Sequence, residues 1–129
     1  MIGYATLGSN DLARAHVFYD AVFGAVGVGR LMTFPNGAIA WGSSWEQPMI
    51  AVGAPYDGGT ATAGNGTMLA LAVDSRAMVD TMYAAGLAAG GSDEGAPGVR
   101  GIDGAQAFYG GYFRDLDGNK LCAFKVGPA

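Results

Sequence analysis

A degenerate internal repeat, offset by about 64 residues, organises this chain of 129 residues. Met1 to Gly8 reads as a strand, and Asn10-Asp11 after it supplies a helix N-cap and first turn. Leu12 to Phe23 then carries apolar residues at Leu12, Ala15, Phe18, Tyr19, Val22 and Phe23, which is helical spacing, and Gly24 is expected to cap the end. The same grammar returns downstream. Thr67 to Val73 is an apolar strand, Asp74-Ser75 can cap, and a second helix runs from Arg76 to Ala89 before Gly90-Gly91. Leu7 aligns with Leu71, Ala13 with Ala77, Phe18 with Met82, Tyr19 with Tyr83 and Ala21 with Ala85. A single register for all five pairs is more than composition would give.

Each helix is followed by strand-like segments. In the first half these are Val26 to Phe34, Ala38 to Gly42 and Pro48 to Ala54, with Pro35-Asn36-Gly37 as a hairpin turn. In the second half they are a weak strand near Val99, then Ala107 to Arg114, then Lys120 to Val126. Asp117-Gly118 makes a tight turn between the last two. The pattern predicts an α+β fold of two βαβββ modules. It is read as a single domain over 1–129: module one at about 1–57, a Gly/Thr/Ala-rich linker at about 58–65, and module two at about 66–129.

Composition closes several other routes. Half of the residues are hydrophobic and 14% are charged, enough for a core and too few polar groups for disorder. No run approaches the roughly 18 apolar residues of a membrane span, so no membrane partner is expected. The start shows no basic-then-apolar leader, and the single cysteine, Cys122, excludes an intrachain disulfide; both fit a cytoplasmic protein. The net charge is −4 and the seven basic residues are spread singly, which argues against a nucleic-acid partner.

Local motifs narrow the fold further. Asp11-Leu12-Ala13-Arg14-Ala15 through Phe18-Tyr19, Gly64-Asn65-Gly66-Thr67, and Arg114-Asp115-Leu116-Asp117-Gly118-Asn119 occur in this order across nearly the whole chain. They resemble the first helix, the second-module entry and the final hairpin of the vicinal oxygen chelate superfamily, which includes the glyoxalases, bleomycin resistance proteins and dioxygenases. Leu116 replaces the proline usual in that hairpin. The resemblance implies that the two βαβββ modules form a cupped mixed sheet around a small-molecule site, and in active members a divalent metal held by His and Glu from both modules. Those positions map to Tyr4, to the Ile50–Val52 segment, to Met68 and to Cys122. Such metals want imidazole and carboxylate ligands, so neither a metal nor another cofactor is expected here. The one histidine, His16, is read as a solvated residue of the first helix.

Counting in twos, Tyr4, Thr6, Met68, Ala70, Cys122 and Phe124 share the cup side of their strands, while Ala5, Leu7, Leu69, Leu71, Leu121 and Ala123 pack under the helices. Trp41 on the third strand, and Tyr109 or Tyr112 on the seventh, are candidates to join the cup. The expected ligand-binding set is therefore Tyr4, Thr6, Trp41, Met68, Tyr109, Tyr112 and Cys122, with Cys122 an inert lining thiol. Loop residues Glu46 and Asp103 are the only acidic candidates for acid–base work, and no catalytic residue is assigned. Trp45 is a further contact candidate. Asp115-x-Asp117-x-Asn119 fails as a calcium loop because Gly118 and Val126 fall where that loop needs other residues. No phosphate loop or hydrolase elbow occurs.

Three functions fit this reading. The first is a metal-free small-molecule binder, a homodimer like the resistance proteins it resembles. The second is a metal-dependent lyase or isomerase resembling glyoxalase I (lactoylglutathione lyase). The third is an interaction module whose cup is packed and binds nothing.

Overall fold

The computed structural model describes all residues from Met1 to Ala129. Ten elements follow in the order β1 (Tyr4–Gly8), α1 (Leu12–Gly24), β2 (Arg30–Thr33), β3 (Ile39–Trp41), β4 (Met49–Gly53), β5 (Met68–Ala72), α2 (Arg76–Ala88), β6 (Ser92–Arg100), β7 (Phe108–Arg114) and β8 (Lys120–Val126). This is βαβββ twice. Each module makes its own four-stranded mixed sheet, with orders β1-β4-β3-β2 and β5-β8-β7-β6. β1 runs parallel to β4 and β5 parallel to β8, and the remaining pairs are antiparallel.

Capping chemistry sets the helix ends. The Asp11 side chain accepts from the Arg14 N–H at 3.1 Å, and Ser75 accepts from the Met78 N–H at 3.1 Å. α2 closes as expected: Gly90 takes a left-handed φ of 100°, and the Gly91 N–H donates to the Gly86 carbonyl at 2.9 Å. Gly24 does not cap α1 as the sequence suggested. Gly24 is its last helical residue, Ala25 caps in helical geometry, and the left-handed turn falls on Gly27 with φ 78°. That turn consumes residues expected in a strand, so β2 begins at Arg30 instead of Val26. The opposite error occurs at β6. The weak strand near Val99 is nine residues long, broken by irregularities between Asp93 and Gly98. As an outer strand it tolerates Pro97 and the glycines that hid it from propensity.

One core joins the modules. Leu7, Ile39, Trp41 and Val52 from the first sheet and Phe113, Leu121 and Ala123 from the second meet Phe18, Tyr19, Val22, Val79 and Met82 of the two helices. The helices thus lie between the helix-facing sides of two sheets, and by strand alternation the other side of each sheet looks outward. A polar clasp ties the halves together. Asp115, in the β7–β8 turn, is buried and accepts from Tyr19 Oη of α1 at 2.5 Å. It also accepts from the Asp117 and Asn119 backbone N–H groups and from Asn119 Nδ2. Asn119 Nδ2 in turn reaches the Gly8 carbonyl at 2.9 Å.

Candidate functional site

Register assigns the outward face of the first sheet. Tyr4 lies beside Met49, and Thr6 beside Ala51, which pairs with Ala40. These five residues, with Gly3, Phe34, Asn36, Ala38 and Trp45, line a shallow pocket of about 510 Å³. Tyr4 and Trp45 stay 64% and 58% exposed, so the pocket has aromatic walls without a lid. Every lining residue comes from module one.

The outward face of the second sheet carries Met68, Ala70, Tyr112, Cys122 and Phe124, because Ala70 and Tyr112 both pair with Cys122. Phe108 and Phe124 stack there with centroids 5.2 Å apart and planes 9° apart. Cys122 is fully buried, and burial pushes its thiol up despite the opposing pull of Tyr112, Arg100 and Lys120. An aromatic disulfide reagent is therefore expected to leave Cys122 unmodified until denaturant is added. Rapid stoichiometric labelling of the folded protein would refute that placement.

Of the seven residues anticipated for the cup, Tyr4, Thr6, Met68, Tyr112 and Cys122 occupy outward strand faces. Two do not. Trp41 pairs with Ile50 on the helix side, is 1% exposed, and donates Nε1–H to Asp20 of α1 at 3.0 Å. Its parity depends on where β3 begins, and the turn residues around that strand left the register open in the sequence. Tyr109 also faces the helices, donating to Asp80 of α2 at 2.6 Å beneath the Arg76 guanidinium. His16 is not the solvated residue expected. Its ring tilts against Trp41 at 6.0 Å, its Nε2 is buried without a partner, and burial lowers its pKa. Asp103 is committed to Arg76 at 2.7 Å, and Glu46 lies exposed beside Trp45. The sequence signal for Met49 and Ala51 was present in the β4 alternation but needed the β1–β4 register to become a surface, and Ala40 joins it through the β3–β4 register.

The metal positions implied by resemblance present a phenol (Tyr4), a methyl group (Ala51, the outward residue of its segment), a thioether (Met68) and a buried thiol (Cys122). This donor set does not fit a divalent metal of the imidazole- and carboxylate-binding kind. Nowhere do three His, Cys, Asp or Glu side chains converge as a metal site would require.

A larger apolar depression of about 570 Å³ opens on the helix side, lined among others by Ala5, Ile50, Leu69, Leu71, Phe23 and Met82. Ser43 and Gln47 are its only polar side chains and it has no charged one, so it lacks the groups that orient a ligand. The outward sheet faces do present such groups, Tyr4 and Thr6 on the first and Tyr112 on the second.

With that geometry established, comparison with known proteins assigns the lineage. The family model for the Glyoxalase/Bleomycin resistance protein/Dioxygenase superfamily matches residues 1–123. The chain belongs to this superfamily. A glyoxalase/bleomycin resistance protein of Albidiferax ferrireducens T118 is similar at 37% identity, with 97% of this chain and 98% of that one covered and a TM-score of 0.86. A family enzyme from Burkholderia phytofirmans PsJN is similar at 20% identity, covering 96% and 97% of the two chains with a TM-score of 0.70. A lactoylglutathione lyase of Agrobacterium tumefaciens is similar at 20% identity, covering 97% and 92% with a TM-score of 0.66, a likeness of fold alone. Among curated proteins none matches. The superfamily fold is thus intact here, while its metal-ligand chemistry has no counterpart in these side chains. No helix is long and apolar enough to cross a membrane.

Proposed function

We propose that this superfamily member is a metal-free small-molecule binding protein that works as a homodimer in the cytoplasm. The observation that carries the reading is that both half-cups look outward from one shared core, and the pocket on the first sheet is lined by module one alone. β1 and β5 are both unpaired sheet edges. A second copy would set its module-two face over the module-one face of the first, cover Tyr4, Trp45 and Met68, and enclose two equivalent cups. Closure removes exposed aromatic surface from water and gives a flat ligand two apolar walls.

Sedimentation equilibrium is expected to give twice the chain mass. Replacing Thr6, central on the β1 face, by arginine is expected to yield monomer and to abolish ligand-induced melting shifts. A binder should show such shifts with some members of a small-molecule library, because a ligand present at about 100 times its Kd stabilises by roughly 2.7 kcal/mol. A monomeric wild type without any stabilising compound would sink the proposal in favour of a packed interaction module. Stoichiometric Ni, Zn, Fe or Mn surviving dialysis would instead favour the lyase or isomerase reading.

A further inference from the structure

Four of the five arginines face a carboxylate: Arg14 faces Asp117, Arg30 Asp20, Arg76 Asp103 and Arg114 Glu94. Arg100, at the end of β6, has none within 4.0 Å, although the chain carries more acids than bases. It is nonetheless held in place. Its guanidinium donates to the Gly98 carbonyl at 3.0 Å and the Ala96 carbonyl at 2.7 Å, and lies 5.4 Å from the Tyr112 ring centroid. Gly95 and Gly98 leave the space for this, since a Cβ on either would meet the guanidinium at 3.4 or 3.1 Å.

Lys120 approaches the same ring, its ammonium 5.7 Å from the centroid, also without a carboxylate within 4.0 Å. The acid that bears on Lys120, Glu94, is bonded to Arg114 at 2.6 Å. Both cations lie over the ring of Tyr112, which pairs with Cys122, and this places them over one stretch of the outward face. The stacked Phe108–Phe124 pair continues that face, with Phe108 in register with Arg100 and its ring over Gly110, two residues along β7 from Tyr112. The face therefore sets cations beside a flat apolar surface.

We infer that Arg100, Lys120 and Tyr112 form an anion subsite in the cup, and that the ligand is an aromatic or apolar small molecule bearing a carboxylate or phosphate. This rests on the proposed binding function and adds the class of ligand. An arginine fixed by carbonyls and a ring has spent its mobility before the ligand arrives, so its remaining donors are pre-set for an oxyanion. A cationic ligand would meet like charge at the same place and is disfavoured.

The test uses two fluorescent probes with one aromatic body, anilinonaphthalene sulfonate and its neutral parent N-phenylnaphthylamine. The wild type is expected to bind the sulfonate at least about tenfold tighter, with the gap narrowing as salt rises. Arg100→Gln and Lys120→Gln are each expected to weaken the sulfonate by about tenfold and leave the neutral probe within about twofold. Unchanged melting temperatures would show that both variants fold. Displacement by phenylacetate against phenyl phosphate separates the two anion types. Equal binding of the probes, or variants without effect on the sulfonate, would overturn the anion subsite and leave the cup reading standing. Binding of neither probe would overturn the cup reading itself.

Discussion

Asp115→Ala is expected to destabilise the protein by about 3–5 kcal/mol and to lower its melting temperature by roughly 10 °C or more. Asp115 is 5% exposed and accepts four hydrogen bonds, from Tyr19 Oη, the Asn119 and Asp117 backbone N–H groups, and Asn119 Nδ2. Alanine leaves all of these donors without their acceptor, and a buried donor without a partner costs more than a made bond contributes. The loss also falls on the clasp between modules, so the two halves are expected to unfold with broader cooperativity in the variant. Tyr19→Phe removes only one donor and leaves Asp115 three partners, so its cost is expected to be about 1–2 kcal/mol. Denaturant melts of the three proteins decide the matter. An Asp115→Ala variant no weaker than Tyr19→Phe would contradict the network.

The same pair gives a pH dependence of definite sign. Burial first, and then the Asp115 carboxylate, hold the Tyr19 phenol far above its ordinary pKa of 10.0. The unfolded chain therefore releases this proton near pH 10 while the folded chain keeps it. Stability from this group is complete below about pH 10 and falls as pH rises beyond it. Tyr19→Phe should remove that part of the alkaline slope.

How far the sequence carried the fold depended on whether a signal was local. The repeat, both N-caps, the α2 stop and the Asp117-Gly118 turn are written in consecutive residues, and each has its structural counterpart at the expected place. The faces of β1, β5 and β8 followed from alternation because those strands are regular. Trp41 and Tyr109 were misplaced because the registers of β3 and β7 are set by pairing with neighbouring strands, which alternation along a single strand does not show. His16 was misread for a related reason, since its partner Trp41 lies on another element. The pair of cations on the second-sheet face was the least legible part. Arg100 and Lys120 are twenty residues apart and meet over Tyr112 only because β6, β7 and β8 pair side by side.

Gly91 shows the same limit, and replacing it by alanine is expected to cost about 2–4 kcal/mol. In sequence Gly90-Gly91 reads as a flexible helix stop, with nothing to rank one glycine above the other. In the fold, a Cβ at Gly91 would collide with the Arg114 carbonyl oxygen of β7, and would lie 2.8 Å from the Gly86 carbonyl and 3.0 Å from the Phe18 ring. Two of these neighbours are backbone, fixed by the β6–β7 ladder at Ser92–Arg114 and by the end of α2. Relief would require shifting the helix from the sheet, opening space beside Phe18 and Phe113 in the shared core. Gly29→Ala is the matched control, because nothing lies within 4 Å of its Cβ position and its φ is not left-handed. That variant is expected to be neutral or slightly more stable, through the smaller entropy of its unfolded chain. Chemical denaturation of the pair reads the difference directly, and equal stabilities would mean that α2 and β7 do not approach as closely as the Gly91 geometry requires.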